Sequence, residues 1–323
     1  MHQMFKNNKV LVTGGAGFIG TNLIKRLLGS GADIRATFHR QEPKGLSDKV
    51  DYIKADLKLE KDCQKVVQGI DYVFMCSAYS SGAEEIDATP LVHVTPNIVM
   101  TAFMLEAAYK AGVKKFLYMS SCVIYPLSDT PLKEERGHDD PLFDKYFLIG
   151  SMKRYGEKLC QAYSEKIKNP MPVVVVRPTS VYGPHESFDR RKSHVIPALI
   201  RKVVERHDPI EVWGNGTALK DFIFIDDLVE GMLLAMEKMN VFMPVNLGSG
   251  EQTSIRDIID AIIRIDNYDN ARIIFNPSKP VMLPKMLIDI TRAKEVLDFK
   301  ATTSVEEGLR KTVEWYRQNK TTD

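Results

Sequence analysis

Short aliphatic runs recur through the first half of the chain, each followed by a stretch with helical spacing. Lys9–Thr13, Ile34–Phe38, Val50–Lys54, Tyr72–Cys76, Phe116–Ser120 and Val173–Arg177 read as strands. Most are nearly continuous apolar runs with little alternation, the pattern of strands buried on both faces. Between them, Gly20–Leu28, Lys61–Val67, Pro96–Ala111 and Gly150–Ile167 carry the three-to-four-residue apolar period of amphipathic helices. Strands alternating with helices predict βαβ units, hence an α/β fold with a doubly wound parallel sheet. Right-handed crossovers leave few other topologies. From about Tyr182 the rhythm changes, with Pro178, Pro184, Pro197 and Pro209 interrupting shorter, more mixed segments. We expect residues 1–180 to form a dinucleotide-binding domain, to which the strand–helix–strand pattern of 222–248 returns. Residues 181–221 and 249–323 are expected to form a smaller mixed C-terminal lobe for the substrate.

Composition narrows the class. The 323 residues carry 44 Lys and Arg against 42 Asp and Glu, which gives no basic face for nucleic acid. No uninterrupted apolar run reaches the ~18 residues of a bilayer span, and no membrane association is expected. Met1–Asn8 is short and polar, unlike a signal peptide. Cys63, Cys76, Cys122 and Cys160 lack CxxC or Cys/His spacing, so neither a disulfide framework nor a metal site is expected. Free thiols in a reducing, cytoplasmic setting are the expectation.

One segment carries specific chemistry. The first strand runs into Gly14-Gly15-Ala16-Gly17-Phe18-Ile19-Gly20 and then a helix. Gly14 suits the tight turn, Gly17 lets a pyrophosphate approach the backbone, and Gly20 lets the helix pack closely. The amides of the first helical turn, Phe18 and Ile19 included, then face the phosphates. A dinucleotide cofactor is therefore expected. NAD binders place an acid at the tip of the second strand for the ribose 2′-hydroxyl. Here Phe38 is followed by His39 and Arg40, and Arg pairs well with a 2′-phosphate. NADP is accordingly expected, with NAD as the alternative. Asp56-Leu57, after the third strand, is a candidate for the adenine edge.

Beyond this loop the chain resembles the extended short-chain dehydrogenase/reductases, the NAD-dependent epimerases and dehydratases of nucleotide sugars. The likeness rests on Gly14–Gly20, Asp56-Leu57, Asn97, Ser120–Pro126, Lys153–Cys160, Arg177-Pro178, Tyr182-Gly183-Pro184 and Asp221–Leu228. Tyr182–His185, Ser193–Leu199 and Val212–Thr217 add to it, and point to the branch that epimerises and reduces GDP-linked 4-keto sugars. The resemblance implies a nucleotide-sugar epimerase/reductase that works as a homodimer. It adds Ala78 and Asn97 to the cofactor contacts, and makes Lys153 both a catalytic and a cofactor-binding residue. Ser121 becomes the hydroxyl that holds the reacting sugar oxygen.

The pattern also breaks. The family's catalytic Tyr stands four residues before the Lys, where this chain has Ile149. The nearest tyrosine, Tyr146, lies seven residues before Lys153, two helical turns away on the same face. Either Tyr146 is a displaced acid, or the site works without the tyrosine, or redox chemistry is lost. His194 matches the family's proton-carrying His. Cys122 lies one residue before the family's Cys position, now Val123, and a one-residue slip in a strand reverses a side chain. Substrate contacts are expected from Val195, Leu199, Lys202, Trp213, Lys220 and Lys285, the cations facing phosphates. Two alternatives stay open: a 4,6-dehydratase or epimerase that recycles NAD(P) internally, and a catalytically quiet cofactor-binding protein.

Overall fold

A computed structural model describes residues 2–43, 48–80, 89, 91–138, 141–190, 192–279 and 283–320. The first half runs β1 (Lys9–Thr13), α1 (Phe18–Leu28), β2 (Asp33–Phe38), β3 (Val50–Lys54), α2 (Glu60–Val66), β4 (Tyr72–Met75), α3 (Leu91–Lys110), β5 (Lys115–Met119), α4 (Phe147–Gln161) and β6 (Val173–Pro178). The second half continues with β7 (Ser180–Tyr182), α5 (Val195–Val204), β8 (Ile210–Trp213), β9 (Leu219–Lys220), β10 (Phe222–Phe224), α6 (Ile225–Lys238) and β11 (Val245–Leu247). It ends in β12 (Thr253–Ser254), α7 (Ile255–Ile265), β13 (Ile273–Asn276), β14 (Lys285–Met286), α8 (Thr291–Leu297) and α9 (Val305–Asn319).

Seven strands form a parallel sheet in the order β11-β6-β5-β4-β1-β2-β3. Strand order reverses between β1 and β4, the switch point at which open α/β sheets bind ligands. Side chains alternate between two apolar layers, as strands buried on both faces require. Val10, Val12 and Ile34 pack with Leu23, Ile24 and Leu27 of α1 and with Leu228 and Met232 of α6. Leu11, Val73 and Phe116 face the other way, onto Cys63 of α2, Met104 and Leu105 of α3 and Cys160 of α4.

Two helix boundaries differ from the sequence reading. α3 begins at Leu91 and encloses Pro96, which the sequence pattern places at the helix start. Pro96 sits near the end of the second turn, where its missing N–H costs the ladder one bond. α3 is also long and apolar enough to cross a membrane by length and composition. Here it turns Asn97, Thr101, Met104 and Leu105 inward against the domain. α4 stops at Gln161 and continues as a widened π turn, Ala162–Lys166.

Small sheets fill the C-terminal part: β7 with β10, β8 with β13, and β9 between β12 and β14. The segment after β5 packs into this region, because Cys122, Ile124, Tyr125 and Leu132 share one apolar cluster with Leu283, Met286 and Ile288. Leu132 also bridges to Ile288. Residues that follow the sheet's central strands thereby meet residues of the smaller sheets.

Candidate active site

At the end of β1, Gly14 adopts a left-handed φ of +66°, which lets the chain turn without strain. The Gly17 amide donates to the Gly14 carbonyl at 2.9 Å. A Cβ on Gly20 would strike that same carbonyl, so a side chain there would push α1 off the loop. The first bond of α1 runs from Thr21 N–H to Gly17 O at 2.9 Å, and the Phe18, Ile19 and Gly20 amides lie ahead of it in the turn that has no intrahelical acceptors. No acid occupies that first turn. The cradle therefore fits a pyrophosphate, whose charge would meet free amides and the positive end of the helix dipole.

The neighbouring strand ends complete this side. Ser77 N–H donates to Thr13 Oγ1 at 3.0 Å, which joins the β4 and β1 tips. Asn97 holds the next turn: its Oδ1 accepts from Tyr79 N–H at 2.8 Å and its Nδ2 donates to Tyr79 O at 2.9 Å. With its amide spent on the backbone, Asn97 shapes the loop that carries the exposed Ala78. At the β2 tip His39 and Arg40 are exposed. Asp56 lies 3.7 Å from His39 Nε2 and 3.5 Å from Lys58 Nζ, and Leu57 is buried in the sheet's second layer.

The chemistry-bearing residues stand on the segment after β5 and on α4. Ser121 caps the short helical turn Cys122–Ile124, its Oγ accepting from Val123 N–H at 3.3 Å. β5 has already ended at Met119. The two-residue alternation of a strand therefore does not govern position 122, and the expected reversal of Cys122 has no basis here. The Cys122 thiol lies beside Lys220 and Asp221, and burial pushes it up to about 12. Tyr146 precedes α4 and packs with Phe143 against the Cys122 cluster. Burial raises its phenol, and Cys122 adds to the rise.

Lys153 sits two turns further along, where Nζ donates to Met119 O at 2.7 Å and lies 5.2 Å from the centre of the Tyr118 ring. Burial pulls its ammonium down to about 8, with Glu157 and Cys160 opposing. Tyr146 thus stands with Cys122, whereas Lys153 stands with Tyr118 and Glu157. Ile149, between them, is half-buried.

Beneath α4 lies a buried polar network that the sequence did not reveal. Glu157 accepts from Arg177 Nε and Nη2 at 2.9 and 2.6 Å, and from Ser120 Oγ at 2.5 Å. His138 Nε2 lies 3.2 Å from its other oxygen. Arg177 Nη1 reaches Tyr125 Oη at 2.9 Å, and Tyr125 donates to Asn246 at 2.5 Å. Tyr125 is consequently spent inside the fold. Its family motif, read as a string, gives no hint of that partnership.

On the smaller lobe, His194 stands immediately before α5, and its Nδ1 meets Glu186 Oε1 at 2.8 Å. Its side chain is 58% exposed. Burial opposes its charge, but Glu186 outweighs that and raises the imidazole above its ordinary value, while Lys220 pulls the other way. Lys220 is lowered by burial, with Cys122 opposing. Cys122 and His194 thus both lie near Lys220, and Tyr146 lies near Cys122.

The remaining substrate candidates are more scattered. Val195 is half-buried and Leu199 lies in the core. Lys202 is tied to Glu211 O at 2.5 Å. Trp213 ends β8 with Lys279 5.5 Å from its ring centre. Lys285 pairs with Asp129 at 3.0 Å. The described residues contain no cluster of metal-binding side chains.

Comparison with known proteins agrees with this geometry. The chain is 28% identical to the GDP-L-fucose synthase of Sinorhizobium fredii, over 98% of each chain. It is 30% identical to GDP-mannose 3,5-epimerase 1 of Oryza sativa subsp. japonica, over 96% of this chain and 82% of the other. Among solved structures it superposes on a UDP-glucose 4-epimerase from Thermotoga maritima with a TM-score of 0.84 and 26% identity, covering 96% of this chain and 99% of that one. The model of the NAD dependent epimerase/dehydratase family matches residues 10–248. With its glycine cradle at the switch point of the sheet, the chain belongs to the NAD dependent epimerase/dehydratase family.

Proposed function

We propose that this enzyme epimerises and reduces a GDP-linked 4-keto sugar with NADPH, as its likeness to the GDP-L-fucose synthases suggests. One observation carries the reading: Cys122 and His194, which stand on different elements, both lie near Lys220, with Tyr146 beside Cys122. Carbons beside a ketone lose protons readily, and inverting them requires removal on one face and return on the other. His194, with Nδ1 engaged by Glu186, has Nε2 left to take or give a proton. Cys122, held protonated by burial, suits the donor role in the free enzyme. Ser121 Oγ holds the ketone oxygen, and Tyr146 supplies the proton that the family takes from the position now occupied by Ile149. A nicotinamide cofactor, when bound, would supply the hydride, and Lys153 would orient its ribose. Lys220 and Lys285 meet the diphosphate, and Trp213 offers a face to the base.

Arg40 at the β2 tip favours the 2′-phosphate of NADP. Four free cysteines suit a reducing cytoplasm. Exposed apolar residues on α3 and α4, Leu91, Phe147 and Tyr155, support a homodimer through these helices. Incubation with NADPH and GDP-4-keto-6-deoxymannose tests the reading. Loss of NADPH absorbance with formation of a reduced sugar supports it. Hydrogen exchange without NADPH loss would favour an epimerase that performs no net reduction, the reading that Ile149 recommends. Binding of both ligands without any turnover would leave a quiet cofactor-binding protein.

A further inference from the structure

Glu186 lies in the loop between β7 and α5, and that loop is built to turn it inward. Pro184 O accepts from Asn22 Nδ2 at 2.9 Å, which docks the loop on α1. His185 adopts a left-handed φ of +70°, a conformation that a non-glycine residue takes at a cost. Its ring packs 4.9 Å from that of Trp315, and Phe188 stacks on Tyr316 at 4.2 Å. These contacts leave the Glu186 side chain 4% exposed. One oxygen, Oε1, meets His194 Nδ1 at 2.8 Å, while Oε2 is buried with no hydrogen-bond partner among the described residues. A buried carboxylate serving only the fold is normally bonded through both oxygens, since an unpaired one costs stability.

The groups facing His194 explain the arrangement. It stands at the N-terminal, positive end of α5, and Lys220 on β9 also disfavours its charge. Among the described residues, Glu186 is the carboxylate that opposes both. A carboxylate on Nδ1 fixes the tautomer with hydrogen on Nδ1, which leaves the lone pair or proton of Nε2 for exchange. We propose that Glu186 is a positioning residue, which holds His194 in the tautomer and charge balance needed to exchange a proton with the sugar. This rests on the reading of His194 as a proton carrier.

The test uses Glu186→Gln, which keeps the shape and an oxygen acceptor but removes the charge, and Glu186→Asp, which keeps the charge on a shorter arm. The His194 imidazole is titrated by NMR in the full-length protein, its signal assigned by loss in His194→Asn. The pH profile of solvent-deuterium uptake into GDP-4-keto-6-deoxymannose is measured beside it. We expect Glu186→Gln to lower the His194 titration midpoint by about one unit or more, and to move the corresponding limb of the exchange profile by the same amount. Glu186→Asp should restore part of both, and serves as the test if the Gln variant does not fold. An unmoved His194 midpoint overturns the proposal whatever the activity. A shifted midpoint that the exchange profile does not follow upholds the pairing and overturns the reading of His194 as proton carrier.

Discussion

Replacing Glu157 by Gln removes one charge from the network beneath α4 and almost no volume. The Arg177 guanidinium, 1% exposed against a Glu157 that is fully buried, then keeps its positive charge with no anion bonded to it. Breaking a buried pair from one side costs about 3–5 kcal/mol. The acid's own titration gives a similar figure. Burial alone would raise Glu157, but the bonds from His138, Arg177 and Ser120 prevail and hold it at about 2, against an ordinary 4.5. That difference corresponds to roughly 3 kcal/mol. Unfolding entropy of about 2.1 cal/mol/K per residue, over 323 residues, makes this a fall in Tm of roughly 4–7 °C. Because the folded value lies below the unfolded one, the stabilisation is complete above pH about 4.5. It is lost as pH falls toward about 2. Thermal unfolding of wild type and Glu157→Gln across pH should therefore show a gap that is full near neutrality and narrows on acidification. A variant within 2 °C of wild type near neutrality, or a gap that widens in acid, would refute the reasoning.

Tyr146→Phe should lower turnover about 10²–10⁴-fold, the usual range for removing a general acid, with NADPH binding unchanged in a fluorescence titration. Turnover within threefold would remove the phenol from the chemistry. Arg40→Ala should weaken NADPH about tenfold, as loss of a charge-assisted phosphate contact would, while NADH affinity stays level; equal losses would leave NADP preference without its residue. Lys153 carries its charge below about 8 and loses it above. The Kd for NADPH should accordingly rise as pH passes through about 8, and Lys153→Met should flatten that profile.

What could be read from the sequence was local. The cradle from Gly14 to Gly20 announces itself because its turn, close approach and helix start lie within seven consecutive residues. The main strands were visible because both their faces are buried. Pro96 misled because a proline marks the start of a helix more often than its second turn. β9, β12 and β14 have two residues each, so pairing between distant segments defines them and no periodicity betrays them. Glu186 and Glu157 escaped for the same reason. Each looks like any loop or helix acid until the fold brings His194 and Arg177 to it. Cys122 looked misplaced only while the strand was assumed to continue through it.

The central proposal is that the residues gathered around Lys220, namely Cys122, His194 and Tyr146, both invert and reduce the sugar. The most direct measurement is the mass and deuterium pattern of the product made from GDP-4-keto-6-deoxymannose and NADPH in deuterated water. The expected product is a reduced sugar with solvent deuterium at C3 and C5, with loss of that label in His194→Asn or Cys122→Ser. A reduced product without solvent deuterium, or label that survives both substitutions, would contradict it.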